Sequence, residues 1–151
     1  MTPRRLRQTL SLIGGLVLAA GAQASDLMMA RSPKAFPEAM LALQESIKAH
    51  GYTISRVQRV DVGLSKMGYE TDKYRVVFFG KPREVRRLSG RYPRLIPFLP
   101  LKVSIFAEGE ETLIVAADPR WLAESFQDGE VATLLRRWER DLRSIMDDFR
   151  G

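Results

Sequence analysis

A run of β-branched and aromatic residues, Tyr74-Arg-Val-Val-Phe-Phe-Gly80, stopped by Pro82, has few ways to fold other than as a buried strand. Both of its alternating sets are apolar beyond Arg75. That predicts cover on both faces and a place in the middle of a sheet. A second apolar block, Leu99 to Ala107, runs through Glu108-Gly-Glu-Glu111 into Thr112-Leu-Ile-Val-Ala-Ala117, which spells strand, turn, strand.

The remaining elements arrange themselves around these three. Asp26 to Arg31 reads as a short first strand, and Ser32-Pro33 supplies an N-cap and a first-turn proline. Phe36, Met40, Leu41, Leu43 and Ile47 then recur at helical spacing as far as Gly51, a natural stop. His50, the only histidine, falls in that helix's last turn, where its charged form complements the helix dipole. Tyr52 to Gln58 alternates as a strand, and with the preceding helix it forms a β-α-β crossover if the strands are parallel. Asp61 is placed to cap a turn from Val62 to Met67, ended by Gly68.

Glu84 to Leu88 predicts a short helix with Val85 and Leu88 inward, Arg83, Arg86 and Arg87 outward, and Gly90 as its end. Pro93, Pro97 and Pro100 predict an extended connection holding Leu95, Ile96 and Phe98 against the core. In the last helix, Val131, Leu134, Leu135, Trp138, Leu142, Ile145, Met146 and Phe149 share one face, with Arg137 on the polar side. The expected architecture is a single two-layer α+β domain. Its mixed sheet has about five strands packed with helices, and the C-terminal helix is long and amphipathic.

Residues 1–24 differ from the rest. Arg4, Arg5 and Arg7 precede an apolar stretch from Leu10 to Ala20 and a small-x-small site, Ala22-Gln-Ala24, the order of a signal peptide cleaved after Ala24. The apolar stretch is short for a membrane span, so residues 25–151 are expected as a periplasmic or secreted domain with no stable anchor. Loss of the leader leaves 21 basic against 18 acidic residues, a net charge of +3 rather than +6. Export and so mild a charge argue against nucleic acid as a partner. The absence of cysteine excludes disulfides, thiolate nucleophiles and thiolate metal sites.

Gly51-Tyr52, Arg59-Val-Asp61, the stretch from Tyr74 to Pro82, Leu99-Pro-Leu-Lys-Val103 and Ala117-Asp-Pro119 follow one another in the order and spacing of the uncharacterised DUF302 family, which the mature chain resembles over nearly its whole length. The resemblance implies a compact α+β domain with a mixed sheet, hints at homodimers and implies no established activity. Many members carry Ile-Asp-His where this chain has Val60-Asp61-Val62, so a metal or acid–base role for that histidine does not transfer.

No catalytic constellation stands out. There is no nucleophile elbow and no Gly-rich phosphate loop, and one histidine does not make a zinc site, so no catalytic residue, metal ligand or cofactor is assigned. Glu108, Glu110, Glu111, Asp147 and Asp148 read as solvated surface. Met28, Met29, Met40, Met67 and Met146 read as core packing, although thioethers also suit Cu(I). The charge bias of Lys81, Arg83, Arg86, Arg87, Arg91 and Arg94 against Glu84 alone is the most unusual feature.

Candidate binding residues are therefore Arg59, Asp61, Lys81, Arg83, Arg86 and Arg87. The expected function is a non-catalytic binding or interaction module for an anionic small molecule or an acidic partner protein. The alternative is an enzyme or small-ligand carrier, with Asp61 as acid–base group and Lys81 or Arg59 as anion holder in one pocket.

Overall fold

The computed structural model describes residues 26–151, so the expected signal peptide lies outside the described residues. The order is β1 (Leu27–Ser32), α1 (Phe36–Ala49), β2 (Thr53–Arg59), α2 (Val60–Lys66), β3 (Tyr74–Gly80) and α3 (Pro82–Arg91). A 3-10 turn (Pro93–Phe98), β4 (Leu101–Glu108), β5 (Glu111–Ala117), a second 3-10 turn (Pro119–Ser125) and α4 (Gly129–Arg150) complete it. The chain is an α+β domain with one five-stranded sheet in the order β1-β5-β4-β3-β2.

Every neighbouring pair is antiparallel, so the sheet is not mixed. The expected β-α-β pairing fails because α1 carries the chain from one edge strand to the other, and β1 and β2 never meet. β4 holds the middle of the sheet, and β3 lies one strand in from the edge.

One face of the sheet is packed. Val77 and Phe79 of β3, Val103 and Ile105 of β4, and Ile114 and Ala116 of β5 meet Leu43 and Ile47 of α1 and Leu142, Ile145 and Phe149 of α4 in the main core. A second core gathers Leu88, Leu95, Leu122 and Phe126 around Val131, Leu134, Leu135 and Trp138. All eight apolar residues expected on α4 are buried, and the helix serves both cores. Each such side chain contributes roughly 1.5–3 kcal/mol before ordering costs. Asp128 caps this helix, accepting from the backbone N–H groups of Glu130 at 2.8 Å and Val131 at 3.2 Å.

Several local expectations change. Ser32 does not cap α1. It ends β1, fully buried, with its hydroxyl accepting from Lys34 N–H at 3.3 Å, and α1 starts after Ala35 with no side-chain cap. Gly51 does end α1, at φ +79°, and Gly109 turns the β4–β5 hairpin at φ +60°, both in the region that glycine tolerates best. Gly90 does not stop α3, which continues to Arg91. The proline series coils into a 3-10 turn instead of extending, which buries Leu95 but leaves Ile96 half exposed. Met28, Met40 and Met146 join the main core, whereas Met29 and Met67 are exposed.

Candidate functional site

The residues expected to form one site fall at opposite ends of β3. Arg59 stands across from Arg75 at the start of that strand. Asp61, in the first turn of α2, accepts a hydrogen bond from the Arg75 guanidinium, and both side chains are largely shielded. The Arg75 bond holds the Asp61 carboxyl below its ordinary range, which favours its ionised form. Lys81 follows the far end of β3, six residues from Arg75 and about 20 Å away at 3.3 Å per residue. Its ammonium lies 4.9 Å from the centroid of the Tyr52 ring. None of the main cavities among the described residues is lined by Arg59, Asp61 or Lys81.

The basic segment is mostly wired into the fold. Arg87 bonds to Glu130 of α4, and Arg91 approaches the same carboxylate at 3.5 Å. Arg91 also lies over Tyr92 and Arg94 over Phe126, at 5.5 and 5.4 Å from the ring centroids. Only Arg83 and Arg86, among the six cations, have no such partner among the described residues, and both are exposed.

Glu84, the segment's lone acid, turns inward. It accepts from Arg137 Nη2 at 2.5 Å and from Trp138 Nε1 at 3.4 Å, which ties α3 to α4. Next to it Tyr52 donates to Asp141 at 2.5 Å, and burial together with that carboxylate pushes the tyrosine hydroxyl far above its ordinary value. Arg137 is therefore not a solvent-facing residue. Its Nε is buried without a hydrogen-bond partner among the described residues.

Other carboxylates read as solvated surface also have partners. Asp148 accepts from Ser46 at 2.6 Å and contacts His50 Nε2 at 2.9 Å, joining α4 to α1, and these bonds hold its carboxyl low. Arg31 bonds Glu108 at 2.6 Å and Glu111 at 2.7 Å, and Asp147 pairs with Arg150. Among the described residues no group of three or more His, Cys, Asp or Glu side chains is arranged to hold a metal ion.

The unexplained feature is the other face of the sheet. The register lays it out in rows across the strands. Arg56, Phe78 and Lys102 stand together at one end, and the next row is Gln58, Val76, Ser104, Val115 and Met29. Tyr74, Phe106, Leu113 and Arg31 follow, and Glu108 and Glu111 close the far end. Tyr74 and Phe106 pack edge to face with centroids 6.3 Å apart. Val76, Phe106, Val115 and Met29 belong to neither core, and Met29 is 52% exposed. An open antiparallel face ordinarily carries polar residues. Here its two central rows are apolar for most of their length.

Residues 28–149 match the family described as "Domain of unknown function DUF302". Among solved structures, the chain is similar to an uncharacterised conserved protein of that family from Bacillus stearothermophilus. The two share 21% identity with a TM-score of 0.75, over 84% of this chain and all of the other. That likeness is one of fold. No curated protein matches the chain.

Proposed function

The chain belongs to the DUF302 family, whose description leaves its function open, and from that premise we propose that it is an exported, non-catalytic interaction module that pairs through its open sheet face with a second copy of itself. The observation that carries this reading is the apolar character of the two central rows, which no described helix covers. Export rests on the leader pattern of residues 1–24.

A second copy suits the face because its ends are opposite in charge. Arg56 and Lys102 mark one end, and at the other Glu108 and Glu111 share Arg31 between them, which leaves that end a net negative charge. A two-fold axis lying between the sheets and across the strands brings the basic end of one copy over the acidic end of the next. The acidic partner is thus supplied by the chain itself. Five strands about 4.8 Å apart and about seven residues long give a face of roughly 500 Å² in projection. Side-chain relief raises its accessible area toward the ~800 Å² per partner of an ordinary stable interface.

Sedimentation equilibrium tests the reading. The expected mass is twice that of the chain at micromolar concentration, falling to the monomer mass in the Met29→Lys, Val76→Lys double variant with its unfolding midpoint little changed. A parent chain that stays monomeric at ~100 μM, well above the dissociation constant expected for an interface of this size, overturns it.

A further inference from the structure

At the basic end of the open face the sheet meets the two 3-10 turns, and a cavity of about 320 Å³ lies between them. Phe78 of β3 lines it from the sheet, Phe98 and Trp121 from the two turns, and Trp138 and Leu142 from α4. Phe98 and Trp121 meet edge to face with centroids 5.4 Å apart, and Trp121 remains 44% exposed. An indole left in water beside an apolar cavity loses the burial that would repay its hydration cost, unless something fills the space. Lys102 is the cavity's one charged lining residue, and its side chain makes no ion pair or hydrogen bond among the described residues. Every other wall residue is apolar.

We propose that this cavity binds a small aromatic carboxylate, with its ring against Phe98, Trp121 and Phe78 and its carboxylate on the Lys102 ammonium. The volume sits at the low end of the ~300–1,000 Å³ typical of ligand sites and admits a single ring with a short side chain, not a lipid or a nucleotide. An aromatic ring offers the edge-to-face geometry that the walls already use between themselves. An anionic head answers the one unpaired charge. A neutral ligand of the same shape would leave Lys102 as it is, and a cation would be repelled. The walls come from one chain, so the site goes beyond the self-association proposed above, and because Lys102 also stands at the basic end of the pairing face, ligand and second copy compete for its ammonium.

Both tryptophans of the chain, Trp121 and Trp138, line this cavity, so its occupancy is visible in intrinsic fluorescence. The full chain is titrated with phenylacetate and, in parallel, with 2-phenylethanol, its uncharged analogue of similar shape. A saturable change in tryptophan emission is expected with phenylacetate, and the alcohol should bind about tenfold more weakly, a difference of ~1.4 kcal/mol at 25 °C and close to the lower end of what one charge-assisted hydrogen bond contributes. Lys102→Met keeps the stem's apolar contacts and should reduce phenylacetate binding to the level of the alcohol, while leaving the alcohol's own binding unchanged. Lys66→Met, an exposed lysine on α2 remote from the cavity, serves as the control and should change neither.

The proposal is overturned if phenylacetate gives no saturable change into the millimolar range, or if acid and alcohol bind alike. It is equally overturned if Lys102→Met leaves the preference for the acid intact. Sedimentation of the same samples records whether the chain is monomer or dimer when the ligand binds, so failure of the pocket and failure of the self-association are separate results.

Discussion

Removing the Glu84 carboxylate is the perturbation with the most to say about how this fold is held. Glu84→Gln keeps the size of the side chain but takes away the charge that faces Arg137 Nη2 at 2.5 Å. Arg137 is already short of one partner at its buried Nε, so the change leaves a half-buried guanidinium with little to bond. Breaking a fully buried pair by deleting one member costs ~3–5 kcal/mol. Here the Glu84 and Arg137 side chains are 16% and 31% exposed, and water that reaches them reduces the figure to about 2 kcal/mol.

Urea titration at pH 7, followed by far-UV circular dichroism, should place the Glu84→Gln midpoint about 1 M below the parent's, given a slope of ~2 kcal/mol/M. Arg137→Met should cost a similar amount, since it strands the Glu84 carboxylate instead. The double variant Glu84→Leu, Arg137→Met removes both charges and should be more stable than the sum of the single effects implies, by at least ~1 kcal/mol. Additive single and double effects, or a Glu84→Gln midpoint within error of the parent, would refute the claim that this pair latches α3 to α4.

Three further outcomes follow from the same geometry. Trp138→Ala should cost about 3–5 kcal/mol in the same urea assay, because the ring fills the second core and its Nε1 reaches Glu84. Arg83→Glu with Arg86→Glu should leave stability within about 0.5 kcal/mol per site, since both are exposed and have no partner among the described residues, whereas Arg87→Glu should lower the midpoint measurably by setting two carboxylates against each other at Glu130. Acid should destabilise the fold below about pH 4: burial opposes the charge on Asp118, but Arg120 outweighs it and holds the carboxyl low, so the native state binds fewer protons than the unfolded one there. Stability from Asp118 is then fully present above its unfolded value and lost as pH falls through the folded one, and Asp118→Asn should flatten a plot of urea midpoint against pH.

What the sequence showed and what it hid divide along a physical line. α4 was legible down to the residue because its buried set repeats at helical spacing over the whole element, and eight apolar side chains on one face have one way to dock. Local signals of that kind carry β1 to β5 and α1 as well. Partners across the fold carry no such period. Nothing in the order of residues says that Glu84 reaches Arg137, that Asp148 reaches Ser46 and His50, or that Arg59 and Lys81 end up at opposite ends of β3. A basic run therefore looked like a ligand surface when four of its six cations bind the protein itself.

The pattern in β3 deserves the opposite inference. Its two alternating sets, Val77 and Phe79 on one side and Tyr74, Val76 and Phe78 on the other, are both apolar, a pattern that predicts cover on each face. The first set is covered by α1 and α4. Of the second, Phe78 reaches the cavity beside the 3-10 turns, but no described helix covers Tyr74 and Val76, and their neighbours across the sheet, Phe106, Val115 and Met29, are apolar too; one strand's accident would not repeat over four strands. A two-sided sheet pattern with described helices on one side only is what supports the proposal that a second molecule supplies the missing layer. The charges at the two ends of the face, basic at Lys102 and acidic at Glu108, are those that a second copy of this chain turned about a two-fold axis would match.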